Sequence, residues 1–195
     1  MASTGDTEMV KESEFKTETE SQTPAVTASR IVYLTLSLWL RKLLFWTTLV
    51  AAIVLLTGKQ KENIYWPPAN AVVPRSAKYS HYPAFKYLLA ALWIVFGHSL
   101  LSSINSLLCA ALGNLFLYCL ILGDSLMLVI MASATGTAGG VAYIGLEGNS
   151  HDGWLKMCNV YDKFCRHIAA SLALSLLACV ILVALILISA FSIRR

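Results

Sequence analysis

The chain has 195 residues, of which 57% are hydrophobic and 13% charged, and its formal net charge is +4. Soluble domains carry about 25% charged residues, so this composition excludes an ordinary soluble protein and indicates a membrane protein. Stretches without any Asp, Glu, Lys or Arg cover 43–58, 87–123, 125–146 and 167–193. Because about 20 apolar residues cross a bilayer as a helix, the sequence predicts an all-α, polytopic bundle of four transmembrane helices.

The N-terminal stretch 1–33 has a different character from the rest of the chain. It is rich in Ser, Thr and Glu and shows no apolar period, which is typical of a disordered tail. The four-helix domain is expected over 34–193. Its helices are predicted near 34–57, 87–108, 115–143 and 168–190, and the third, being the longest, is expected to be tilted.

The first and third helices each carry charge inside an apolar stretch. Arg41 and Lys42 lie in "LWLRKLLFW", and Asp124 lies in "CLILGDSLMLVIM". Counted from the outer helix ends expected near Thr57 and Tyr143, Arg41 is about 24 Å deep and Asp124 about 28 Å deep. Charges at such depth usually have a partner, so the matching depths predict an intramembrane ion pair between Arg41 and Asp124.

Two alternatives to this pair remain open. In the first, Arg41 and Lys42 extend to the lipid headgroups, and Asp124 is protonated or bonds a polar neighbour. The candidate neighbours are Ser125, His98 and Asn105. In the second, Asp124 and His98 belong to a proton path, although no further acidic residue continues it.

Small residues follow Asp124 at helical spacing. Ala132, Gly136 and Gly140 lie four residues apart in "MASATGTAGGVAYIGLEG", and the two glycines form a GxxxG pair. Small residues let helix backbones approach closely in lipid. This face is expected either to pack inside the bundle, which is the more frequent use, or to mediate dimerisation.

The segment 59–86 is a polar, basic connection between the first two helices. Its "YWPP" and "HYPAF" suggest an extended segment near the membrane interface that could contact partners or wall polymers, or be a plain aromatic belt with solvated lysines. The basic residues in it are Lys59, Lys61, Arg75, Lys78 and Lys86. The connection at 109–114 is uncharged, so loop charge alone favours a cytosolic 59–86.

The cysteines favour the opposite orientation. Cys109, Cys119 and Cys179 lie in apolar stretches and are expected to be small buried hydrophobes, with palmitoylation of Cys109 as an alternative. Cys158 and Cys165 lie in a polar loop, seven residues apart, so a disulfide needs a turn, which "NVYD" could supply. Oxidised, the pair would place this loop and 59–86 outside the cell and both termini in the cytosol; two free thiols remain the alternative.

The same loop offers no convincing catalytic or metal site. Cys165 and His167 lack a visible acid that would orient a nucleophile–base pair. With Cys158 and His151 they also lack the tight spacing of zinc ligands. We therefore expect no catalytic residue, no metal and no cofactor.

Several stretches resemble one family. "HYPAFKYLLA", Arg41, Asp124 and above all "VAYIGLEGNSHDGWLKMCNVYDKFCRHI" are similar to the plant Casparian strip membrane domain-like (CASP-like) proteins, closest to their group 1, over about 33–193. The resemblance implies four plasma-membrane helices with cytosolic termini and distant kinship to MARVEL proteins. It marks Arg41 and Asp124 as family features, and Trp154, Cys158 and Cys165 match the family's second outer loop.

The resemblance also implies a function. A non-enzymatic scaffold is expected, which forms homo- and heterodimers with related proteins in the lipid bilayer, could position cell-wall enzymes, and binds no nucleic acid. The first outer loop lacks the phenylalanine-rich signature of the true Casparian-strip proteins, so a role in that barrier is not implied. The alternative is a small transporter or channel subunit. Against it, the sequence lacks the broken helices that mark many transporters. It is favoured by polar residues at depth, namely His98, Ser102, Ser103, Asn105 and Asp124.

Overall fold

The computed structural model describes residues 32–66, 71–108, 113–149, 151, 153–154 and 156–193. Within these ranges lie the helices α1 (Val32–Thr57), α2 (Pro83–Leu108), α3 (Gly113–Glu147) and α4 (Asp162–Ile193). All four are long and apolar enough to cross a membrane, which confirms the predicted fold class. The predicted tail over 1–33 lies almost wholly outside the described residues.

The helices extend beyond the charge-free stretches that predicted them. Pro83 is the first residue of α2, where its fixed φ suits the first helical turn. Asp162 lies in the first turn of α4, where the positive end of the helix dipole stabilises its carboxylate. The apolar runs therefore mark the spanning parts, whereas α2 and α4 begin before these runs, at residues suited to a helix start.

A β-hairpin joins α1 to α2. Its strands β1 (Lys59–Trp66) and β2 (Ala71–Lys78) are antiparallel, with Lys59 opposite Lys78. The sequence predicted an extended segment here but not the pairing. Pro74 lies in β2, which is compatible with a two-stranded ribbon because each strand is an edge.

The four helices run up and down the bundle in turn, so the bundle has two ends that carry different connections. Val32 of α1 and Ile193 of α4 lie at one end, which we call the terminal end. The hairpin and the connection from α3 to α4 lie at the other, the hairpin end. This second end is closed by Phe164, whose backbone N–H donates to Gln60 Oε1 of the hairpin over 3.1 Å.

The core between the helices is made mainly of aliphatic side chains and small residues. Leu44, Leu88, Met131 and Leu182 are fully buried, one from each helix. On α3, Ala134 and Ala138 are also fully buried, so alanines rather than glycines allow the close approach of its neighbours.

The stripe of Ala132, Gly136 and Gly140 lies on the opposite side of α3. All three residues are exposed, and a Cβ placed on either glycine would meet no atom within 4 Å. Packing of this stripe inside the bundle, one of the two expected uses, is therefore wrong. The four-residue spacing showed that the three residues share one face of the helix. It did not show whether this face points into or out of the bundle, because that depends on the rotation of α3 about its axis.

Candidate functional site

Arg41 of α1 and Asp124 of α3 meet inside the bundle. Arg41 Nη2 donates to Asp124 Oδ2 over 2.8 Å, and Nη1 donates to Oδ1 over 3.3 Å. Both side chains are fully buried. The two parallel hydrogen bonds match the planar guanidinium to the carboxylate, which is the strongest geometry for such a pair.

Helix α2 adds polar partners to both charges. Arg41 Nη1 also donates to Ser102 Oγ over 2.6 Å, and Ser99 Oγ donates to the Arg41 carbonyl oxygen over 2.9 Å. On the acidic side, His98 Nε2 lies 2.8 Å from Asp124 Oδ1. The cluster of Arg41, Asp124, His98, Ser99 and Ser102, hereafter the charge cluster, joins three helices at one level.

The structure separates the alternatives considered for these residues. Arg41 is buried and does not extend to the headgroups, whereas Lys42 is exposed with its Nζ 5.5 Å from the centroid of the Trp39 ring. Ser125 donates to the carbonyl oxygen of Ile121 instead of to Asp124. The Arg41 and His98 contacts, which the sequence offered as competing partners of Asp124, occur together.

Gly123 makes room for the histidine. A Cβ on Gly123 would lie 2.9 Å from Cε1 of His98, closer than side chains normally approach. The absence of a side chain at this position therefore lets the His98 ring reach Asp124. Sequence reasoning missed this contact, and its only signal was a glycine directly before the buried aspartate.

The charge cluster has a simple electrostatic consequence. Each buried charge is compensated by the other, and removal of one partner of a buried pair typically costs about 3–5 kcal/mol because the remaining charge is stranded. Since the partners lie on α1 and α3, the pair fixes the relative depth of these helices. The arrangement is suited to holding helices in register.

The disulfide loop lies at the hairpin end. Cys158 and Cys165 form the predicted disulfide, with 5.7 Å between their Cα atoms. A 3-10 turn over Met157–Asn159 bends the chain before α4, and the Tyr161 N–H donates to the Met157 carbonyl over 3.0 Å. The turn that the pairing requires is therefore present, and it begins one residue before Cys158.

Aromatic residues attach this loop to the rest of the hairpin end. The Tyr82 and Phe164 rings lie with centroids 6.2 Å apart, and the Tyr82 hydroxyl donates to Met157 Sδ over 3.3 Å. Burial raises the pKa of Tyr82, and the neighbouring Tyr161 raises it further. Tyr82 thus acts as a neutral, half-buried link between the start of α2 and the disulfide loop.

Trp154, the third residue expected in the outer-loop motif, is 61% exposed. Its backbone pairs with Asn149 through two hydrogen bonds of 3.0 and 2.9 Å. Gly148 closes this turn at φ +71°, where a Cβ would lie 2.7 Å from the Trp154 carbonyl oxygen. The motif therefore holds the indole on the surface of the molecule.

The two free cysteines of the described residues lie in α3 and α4. Cys119 is exposed on the outside of α3 and Cys179 is half-buried, so the expected burial of Cys119 is wrong. Cys109 lies outside the described residues. In the described part of the chain, no three His, Cys, Asp or Glu side chains are grouped to hold a metal ion.

The chain is similar to known proteins of one family. The family profile of the Casparian strip membrane protein domain matches residues 32–181. CASP-like protein 1D1 of Glycine max is 46% identical, with 100% of this chain and 97% of the relative covered. CASP-like protein 1D1 of Musa acuminata is 47% identical, covering 80% of this chain and 85% of the relative. For CASP-like protein 1D2 of Arabidopsis thaliana the identity is 49%, with 79% of each chain covered.

No solved structure matches the chain. The profile match extends from the start of α1 into the second half of α4, and it includes the charge cluster, the hairpin and the disulfide loop. This chain, a multi-pass membrane protein, belongs to the Casparian strip membrane protein domain family, with the CASP-like proteins as its relatives.

Proposed function

We propose that this protein is a non-enzymatic scaffold of the plasma membrane, which associates with its own copies and with related CASP-like proteins to form a membrane domain. In this proposal the scaffold positions cell-wall-modifying machinery. The observation that carries the proposal is the stripe of Ala132, Gly136 and Gly140, which faces away from the bundle.

The stripe is a shallow notch that lies between large apolar residues along the surface of α3. Val129 and Tyr143, on either side of it along α3, are each 67% exposed. Glycine costs a helix roughly 1 kcal/mol relative to alanine, and contact with lipid tails does not require it. A second helix gains from it, because small residues let two backbones approach and pack.

The charge cluster supports this role by holding the notch in place. The pair between Arg41 and Asp124 fixes the depth of α3 against α1, and the stripe begins two helical turns beyond Asp124. A helix that slid or tilted would present a different set of residues to a partner. The pair would thus set the level at which two bundles meet.

The disulfide supports the orientation that the proposal needs. Disulfides persist in oxidising compartments and are rare in the cytosol. Cys158 and Cys165 would therefore put the hairpin end outside the cell. Both termini would then be cytosolic, and the hairpin and the exposed Trp154 would face the cell wall.

Fluorescence recovery after photobleaching in a plant plasma membrane tests the proposal. We expect the tagged protein to recover much more slowly than a monomeric membrane marker. The double variant Gly136→Leu/Gly140→Leu should recover nearly as fast as the marker because leucine fills the notch. Gly97→Leu on α2, where a Cβ also meets nothing within 4 Å, is the matched control and should recover slowly. Equal recovery of both variants would refute the stripe as the contact.

One observation favours the alternative of a small transporter or channel subunit. The carboxylate of Asp124 is fully buried, but His98, 2.8 Å from it, has a side chain that is 18% exposed. A titratable group thus connects the buried charge to the surface of the bundle. Proton flux into liposomes that contain the protein, abolished by His98→Gln with the pair between Arg41 and Asp124 intact, would support this function over the scaffold.

A further inference from the structure

The base of the hairpin has two chemically different faces. Paired residues of an antiparallel ribbon share a face, and successive residues alternate between faces. Gln60 and Ala77 form one pair, and Ala77 is only 4% exposed while Gln60 accepts the Phe164 N–H. This face covers the end of the bundle.

The opposite face carries three lysines. Lys59 pairs directly with Lys78, and Lys61 follows two residues later on the same side. Lys59 and Lys61 are exposed, and Lys78 is partly so. Because the Gln60 face rests on the bundle, this lysine face, defined as Lys59, Lys61 and Lys78, is turned away from it.

No acid of the hairpin's described side chains compensates this charge. Glu62 belongs to the other face, where Gln60 Nε2 donates to its Oε1 over 2.9 Å. Within the described part of the chain, the ion pairs up to 4.0 Å involve none of the three lysines. Like charges directly opposite each other destabilise a ribbon, so the face has an electrostatic cost that a bound anion would offset.

We propose that the lysine face binds an acidic polysaccharide, a linear polymer that carries repeated carboxylates. Lys59 and Lys61 are about 7 Å apart along the strand, and Lys78 lies about 5 Å across from Lys59. Each exposed lysine–carboxylate contact is weak, so a chain that engages several at once suits this face better than a single anion. The proposal rests on the proposed function for one point only, that the hairpin end faces the wall.

Anionic lipid headgroups are the competing occupant. They would have to reach lysines on the side of the hairpin that does not cover the bundle end, whereas a polymer in the aqueous phase meets that side directly. Lysine is also a flexible point charge without a fixed fork, which suits a mobile polymer with irregular spacing.

The experiment uses the full chain, one copy per nanodisc of zwitterionic lipid, and fluorescently labelled oligogalacturonate as the probe. We expect saturable binding that weakens as salt is added and that disappears when the oligomer is fully methyl-esterified. The variant Lys59→Gln/Lys61→Gln/Lys78→Gln should bind about tenfold more weakly. The matched control is Lys42→Gln/Lys86→Gln/Lys156→Gln, which changes the net charge equally and should bind as the unchanged protein does.

An equal loss in both triple variants would overturn the proposal, since net charge alone would then explain binding. It is also overturned if, in discs prepared with added anionic lipid, the lysine-face variant loses that lipid, measured by native mass spectrometry, but keeps the oligomer. Discs with a single copy make the binding result independent of self-association. Absence of binding would therefore not contradict the scaffold proposal, and a failure of the scaffold proposal would not abolish binding.

Lys78→Glu separates recognition from folding. It replaces the like-charge pair with an opposite-charge pair, so hydrogen exchange of the hairpin amides should be unchanged or slower. Binding of the oligomer should nevertheless fall, although less than in the triple variant, because Lys59 and Lys61 remain. If exchange becomes faster as binding falls, the lysines are structural and the proposal is wrong.

Discussion

The charge cluster and the lysine face place the same kinds of charged group in opposite situations. Arg41 is fully buried and its guanidinium has a carboxylate and a hydroxyl as partners. Lys59 and Lys61 are exposed, and Lys59 faces another lysine. In lipid a charge must find its partner within the protein, whereas at the aqueous end it is free for a partner outside. The depth of a charged residue thus indicates whether its partner lies within the protein or outside it.

The largest expected effect comes from removing one charge of the cluster. Arg41→Met or Asp124→Leu alone should destabilise the folded bundle by about 3–5 kcal/mol, because the remaining buried residue loses the opposite charge of the pair. Arg41→Met/Asp124→Leu together should recover most of that loss. Thermal unfolding in detergent, followed by circular dichroism, measures all three. A double variant no better than the single ones would show that the pair is not the source of the effect.

The depth argument from the sequence succeeded for this pair because helix rise is nearly constant, so residue counts translate into depth. Rotation about a helix axis is not set by such counts. The same reasoning therefore left His98 as one candidate among several and left the direction of the stripe at Gly136 open. The contact between Gly123 and His98 depends on that rotation and was not anticipated.

The hairpin was only half anticipated for a related reason. Prolines and aromatics indicated extended chain, but "KQKENIYW" and "AVVPRSAK" show no clean alternation of apolar and polar residues. A ribbon that covers the bundle with Gln60 and Ala77 hides little apolar surface. Its pairing therefore leaves a weak signal in the sequence. The disulfide, in contrast, could be predicted from the sequence, because two cysteines in a polar loop leave few other choices.

Removal of the disulfide should have the second largest effect. Cys158→Ser should destabilise the loop by about 2 kcal/mol, since the closed loop is short and restricts the unfolded chain only moderately. Faster hydrogen exchange at Tyr161 and Phe164 would report it. Cys179→Ser, at a free cysteine in α4, is the control and should leave that exchange unchanged. Unchanged exchange in Cys158→Ser would mean that the aromatic contacts alone hold the loop.

Gly123→Ala tests the packing of the charge cluster without touching a charge. The new methyl group would meet His98 Cε1 at 2.9 Å, so we expect a loss of about 1–3 kcal/mol as the ring is displaced. Gly97→Ala has open space and should be neutral or slightly stabilising. If His98→Ala restores the stability of Gly123→Ala, the clash is with the ring; if it does not, the crowding has another source.

The smallest effect concerns a second ion pair, at the hairpin end. Lys156 Nζ lies 3.4 Å from Glu147 Oε2, and both side chains are 52% exposed. Water screens this pair, so Glu147→Gln should cost about 0–1 kcal/mol in thermal unfolding, and less in high salt. The same measurement on Asp124→Leu should show little dependence on salt, because ions do not enter the bundle. A large, salt-independent loss of stability in Glu147→Gln would show that an exposed ion pair can contribute as much as the buried pair of the charge cluster. It would also show that the disulfide loop depends on the pair between Lys156 and Glu147 for its position.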